Sequence, residues 1–146
     1  MSIPNQFVQA LLRRDLKAAK ELLAGGIDIN QTYEPMGWTA LHYAIEMDVT
    51  ESVLWLLENG ANPNQKDASG CTSLHLAIDG EGDNSTRSII ETGKYYASVK
   101  LTKILLTHGA DPNAVNTNGK TPISIAKGYG HAEAVDLLKQ SGAHDT

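Results

Sequence analysis

Apolar positions in this chain recur with two nested periods. Leu41, Ala44 and Ile45 share one side at helical spacing, and Leu74, Ala77 and Ile78 repeat the arrangement 33 residues later. A second apolar stripe follows each first one: Val53, Leu56 and Leu57, then Leu101, Ile104 and Leu105. The pattern predicts pairs of short helices. Thr39, Thr72 and Thr121 stand just before the first helix of a pair, where a hydroxyl caps the unpaired N–H groups of the opening turn. Pro122 follows Thr121, at a position where a missing N–H costs nothing. Gly60, Gly109 and Gly142 follow the second stripes and are expected to end those helices with positive φ. Gly37, Gly70 and Gly119 mark tight reversals between pairs.

The spacing sets the organisation. Thr39 and Thr72 are 33 residues apart, whereas Thr72 and Thr121 are 49 apart, 16 more. Thr39 to Gly60 and Thr121 to Gly142 are each 21 residues, so the extra residues fall inside the third unit, at about 81–96. A degenerate unit precedes these, from Arg14-Asp15-Leu16 to Gly26-Ile27-Asp28-Ile29-Asn30. The predicted domain is a single one over 1–146, with units at about 4–33, 34–66, 67–115 and 116–143. The insertion begins with Glu81-Gly-Asp-Asn-Ser-Thr, which predicts a loop, and Tyr95, Tyr96, Val99 and Leu101 are expected to prolong the second helix backwards. The fold class expected is an all-α solenoid of stacked helix-turn-helix units with short β-hairpin-like turns. No unit buries both sides of its helix pair alone, so stacking makes the array cooperative.

Composition narrows the function. The net charge of -5 argues against a binder of the nucleic-acid backbone. Residues 31–70 carry Glu34, Glu46, Asp48, Glu51, Glu58 and Asp67 against Lys66 alone, and the rest of the chain sums to zero. That region predicts a negative field suited to a partner protein with a basic surface. Cys71 is the only cysteine, which excludes an intrachain disulfide. The first residues lack a basic, apolar leader, and no stretch is long enough to span a membrane. The expectation is a cytoplasmic protein, monomeric when free, that binds neither membrane nor nucleic acid.

Two recurring strings and one single one carry a resemblance. They are Gly-x-Thr-x-Leu-His-x-Ala at 37–44 and 70–77, Leu-Leu-x-x-Gly-Ala-x-Pro-Asn at 56–64 and 105–113, and Gly130-His131-Ala132-Glu133 between the last two helices. The chain resembles the ankyrin-repeat family over about residues 4–143, departing from it at Ser124, in the first unit and in the insertion. The resemblance implies a non-catalytic protein–protein interaction module. It binds through the concave side formed by the turn tips and the exposed side of each first helix. Carried over by position, the candidate contact residues are Met36, Trp38, Glu46, Met47, Ser69, Cys71, Asp79, Asn118, Lys120 and Tyr129, with Tyr95 and Tyr96 added from the insertion. Trp38 stands out, because tryptophan is the type most enriched at binding hot spots. The alternative for it is that the ring folds back on Tyr33 or Pro35, or onto the N-terminal unit. Two narrower roles fit the same features: an immunity protein that neutralises a toxin such as a nuclease, and an effector or assembly adaptor.

Other chemistry lacks its parts. Asp79-Gly-Glu81-Gly-Asp83 begins like a calcium loop, but the sixth and twelfth places hold Asn84 and Ile90 instead of Gly and Glu. Cys71 and His75 are four apart, with no further ligands for zinc and no orienting group for a nucleophile. Gly80-x-Gly82 and Gly128-x-Gly130 lack the strand-loop-helix context of nucleotide loops. No cofactor, metal or catalytic residue is expected.

Overall fold

The computed structural model describes residues 5–92 and 98–144. Four helix pairs succeed one another: α1 (Gln6–Leu12) with α2 (Leu16–Ala24), α3 (Ala40–Glu46) with α4 (Thr50–Glu58), α5 (Ser73–Thr92) with α6 (Lys100–Thr107), and α7 (Pro122–Gly128) with α8 (Ala132–Gln140). The first helices form a row, α1 against α3, α3 against α5 and α5 against α7. The core runs the length of this row. Phe7, Leu11, Leu41, Leu56, Leu74, Ile78, Leu105, Ile123 and Leu138 are fully buried in it. The stripes read from the sequence are therefore the faces along which units stack.

The helix ends use the expected residues. Thr39 and Thr121 cap α3 and α7 in reciprocal boxes with His42 and Ser124. After α4 the Gly60 N–H donates to the Leu57 carbonyl and the Ala61 N–H to the Leu56 carbonyl. This double closure requires the left-handed φ of 95° that Gly60 adopts. Asparagines at equivalent places after the second helix of a pair tie units together. The side-chain oxygen of Asn30 accepts the Asn62 N–H at 2.8 Å, that of Asn64 accepts the Asp111 N–H at 2.7 Å, and that of Asn113 accepts the His144 N–H at 2.8 Å.

The turn tips form a second ladder. The Ala68 N–H donates to the Met36 carbonyl at 2.9 Å, and the Thr117 N–H to the Ser69 carbonyl at 3.0 Å. Gly70, at φ 72°, is needed twice over, since a Cβ there would meet the Thr117 nitrogen at 2.9 Å.

His42 and His75 lock one unit to the next. In each ring Nδ1 accepts a backbone N–H, from Thr39 and Thr72 respectively, at 3.1 Å. The proton is therefore on Nε2, which donates to the Cys71 carbonyl at 3.2 Å and the Lys120 carbonyl at 3.0 Å. In the last pair Ser124 keeps only the local half of this arrangement, accepting the Thr121 N–H at 2.9 Å. Burial is the largest influence on both rings and pulls their pKa below the ordinary 6.5. The unfolded chain thus binds more protons than the folded one below about pH 6.5. The neutral rings' stabilisation is complete above that pH and is lost as pH falls toward the folded-state midpoints. An NMR titration should show both rings with midpoints below 6.5; a midpoint at or above 6.5 would contradict the lock.

The insertion departs from expectation. Residues 81–92 are not a loop; they continue α5, which is 20 residues long. The second helix is not prolonged backwards either, because Val99 is the residue before α6. Gly80 and Gly82 each weaken a helix interior by about 1 kcal/mol, so packing holds this segment helical. Gly82 is buried beneath Tyr129, and a Cβ there would meet the ring at 2.5 Å.

Candidate functional site

The residues expected to contact a partner lie at the turn tips and at the ends of the first helices. Met36 at a tip is 40% exposed and Met47, which closes α3, is 56% exposed. Glu46 and Asp48 flank Met47 and are both exposed. Asp48 adopts the left-handed region at φ 53°, so the chain turns sharply there into α4. Asp79 is exposed on α5 and accepts the Tyr129 hydroxyl at 2.7 Å. That bond, with burial and the charges of Asp79 and Asp83 adding to it, pushes the Tyr129 pKa up to about 12. The phenol therefore stays protonated and ties α7 to α5 at neutral pH. Ser69, Asn118 and Lys120 are exposed on successive tips.

Two expected contacts are placed otherwise. Trp38 is not a tip anchor: it is only 5% exposed and belongs to the core. Its backbone pairs with Tyr33 in an antiparallel bridge. Its ring meets Tyr43 edge-on at 5.1 Å and stacks parallel to the His42 ring. Its Nε1–H donates to Asp67 at 3.1 Å, and the other oxygen of Asp67 accepts the N–H groups of Ser69 and Cys71. The ring thus folds back onto Tyr43 and His42, with the Trp38 backbone bridged to Tyr33, and its Nε1–H reaches the next turn. Cys71 is half-buried, accepts the Asn116 side-chain N–H at 3.5 Å, and has its thiol pKa raised mainly by burial. Tyr95 and Tyr96 lie outside the described residues.

Glu81 is the residue that sequence reasoning missed. Grouped with Asp79 and Asp83 as alternate carboxylates, it reads as part of a loop. On a helix, however, residues two apart point to nearly opposite sides, while those four apart align. Asp79 and Asp83 are accordingly exposed, and Glu81 is turned inward with 8% exposure. Its carboxylate accepts the Thr102 N–H at 3.0 Å, the Thr102 hydroxyl at 2.7 Å and the Ser98 hydroxyl at 3.1 Å. Val99 has no side-chain oxygen to cap α6, and Glu81 supplies the cap from the neighbouring helix. Among the described residues no cluster of three or more His, Cys, Asp or Glu is arranged to hold a metal ion. No helix among them is long and apolar enough to cross a membrane.

Stacked helix pairs, a ladder of turn tips and histidine locks between units define a helical repeat array whose outward surface is available for contact. The chain belongs to the ankyrin-repeat family: the model of ankyrin repeats in three copies matches residues 7–97. An ankyrin repeat protein of fowlpox virus is 29% identical over 127 residues, covering 77% of this chain and 90% of its own length. The mouse ankyrin repeat, SAM and basic leucine zipper domain-containing protein 1 is 33% identical over 129 residues, 88% of this chain but 24% of its own length. The human transient receptor potential cation channel subfamily A member 1 is 30% identical over 118 residues, 80% of this chain and 9% of its own. This chain therefore spans a quarter or less of the mouse and human relatives. Repeats of this family generally mediate contacts between proteins and typically are not enzymes.

Proposed function

We propose that this chain is a non-catalytic protein-binding module whose contact surface runs from the end of α3 across the turn tips, and whose partner has a basic face. The observation that carries the reading is the exposed Glu46-Met47-Asp48 segment, with Met47 at 56% exposure. Methionine is over-represented at binding surfaces because its flexible thioether adapts to irregular partners. Carboxylates on both sides of it select basic partners and speed their approach. Met36, Ser69, Asn118 and Lys120 extend the surface along the tips, and Asp79 with Tyr129 extends it along the first helices.

The test is affinity capture followed by titration of the captured protein. Changing Met36 and Met47 together to serine should weaken binding by roughly tenfold, equivalent to about 1.4 kcal/mol. Stability should stay within about 0.5 kcal/mol, as for other exposed substitutions. Binding should also weaken as salt is raised. An unchanged affinity in the double variant would remove this surface from the reading.

A further inference from the structure

A cleft of about 240 Å³ opens where α3 ends, α5 passes and α6 begins. Ile45, Leu76 and Leu101 contribute its apolar lining, and Glu46, Asp48, Asp83 and Lys100 its charged lining. Its volume is below the roughly 300–1,000 Å³ of small-molecule sites, so it suits one long side chain better than a metabolite. The rim selects the sign of that side chain. Lys100 already sits there, 3.7 Å from Asp48, with the two side chains 53% and 64% exposed. A pair so open to water contributes at most about 1 kcal/mol, so an incoming cation displaces it readily.

The acid at position 48 is not required by the fold. The equivalent turns before α2 and α8 place Arg14 at φ 62° and Gly130 at φ 66°, against Asp48 at φ 53°. An arginine and a glycine serve the same left-handed turn, so the carboxylate is particular to this unit. Glu46 is exposed at the same rim.

We propose that this cleft receives a single arginine side chain of the partner protein. Its aliphatic stem lies on the apolar walls and its guanidinium between the Glu46 and Asp48 carboxylates. Arginine fits better than lysine because its head is weakly hydrated and forms paired hydrogen bonds with carboxylates. The inference rests on the reading of the chain as a protein-binding module.

The test titrates the nitrogen-15-labelled 146-residue chain with N-acetyl-arginine methylamide, using N-acetyl-norleucine methylamide as the uncharged control. The arginine probe should saturate with a Kd on the order of millimolar. Shifts should be confined to residues 45–48, 76–84 and 98–101 that line the cleft, and the control should produce none. Glu46→Gln with Asp48→Asn should weaken binding at least fivefold; asparagine tolerates the left-handed turn, so folding is preserved. Lys100→Met should tighten it. Equal shifts with norleucine, unchanged affinity in the double variant, or shifts spread to Asp15, Glu133 and Asp136 would overturn the inference. If a captured partner binds the double variant as tightly as wild type, the arginine site falls and the module reading stands. If no protein is captured, the module reading falls, while the arginine titration still decides for or against the cleft.

Discussion

Replacing Trp38 with alanine is expected to destabilise the chain by about 3–5 kcal/mol, the range for truncating a buried tryptophan or phenylalanine. Three attachments are lost together. The ring leaves a cavity beside Tyr43 and His42, the Nε1–H no longer reaches Asp67, and the support of the second turn weakens at the same point. Against a total stability of 5–15 kcal/mol, this is a large fraction. Thermal unfolding followed by circular dichroism should show a fall of about 10 °C, given 2–4 °C per kcal/mol at this chain length. Trp38→Phe keeps an aromatic ring in place but removes the donor to Asp67, and should fall about a third as far, by the 0.5–1.5 kcal/mol of a typical hydrogen bond. A Trp38→Ala variant that melts within 2 °C of wild type would show that the ring does not support the turns and would return it to the set of partner contacts.

Trp38 shows where reading a sequence loses resolution. The repeat period places residue 38 in the reversal, and the enrichment of tryptophan at hot spots points outward. Which way it faces is decided by a bridge of one residue pair, Tyr33 with Trp38. An extended segment this short has no alternation of apolar and polar positions to read. The helices were legible for the opposite reason. Each pair repeats its stripe, its threonine cap and its terminating glycine, so several local signals agree. The histidines were legible as turn residues, but their second bonds, to carbonyls 29 and 45 residues away, are not encoded in any local spacing. The exposed surface was legible only in outline. Met36, Glu46, Met47, Ser69, Asp79, Asn118 and Lys120 are exposed as expected, because helix and turn periodicity dictates which positions face water.

The insertion was misread because its composition and its packing disagree. Gly80, Gly82, Asp83 and Asn84 are weak helix formers, and local propensity alone favours a loop. Tertiary contacts reverse that preference, and Glu81 is the clearest of them. Glu81→Ala is expected to destabilise the chain by about 2–4 kcal/mol. Hydrogen bonds to a charged group contribute about 1.5–3 kcal/mol, and a buried donor left unpaired costs a further 1–3, with the terms overlapping. The Thr102 N–H and hydroxyl, both buried, would lose their acceptor, and α6 would lose its cap. Glu81→Gln retains one carbonyl oxygen able to accept from Thr102, and should lose about half as much. Glu91→Ala, on the same helix but exposed, should stay within about 0.5 kcal/mol. Amide hydrogen exchange adds a local readout: in Glu81→Ala the Thr102 N–H should exchange faster, relative to buried amides of α8, than global destabilisation alone requires. If Glu81→Ala and Glu91→Ala unfold at the same denaturant concentration, the cap contributes nothing to stability, and other contacts of this segment, such as Gly82 against Tyr129, hold it helical.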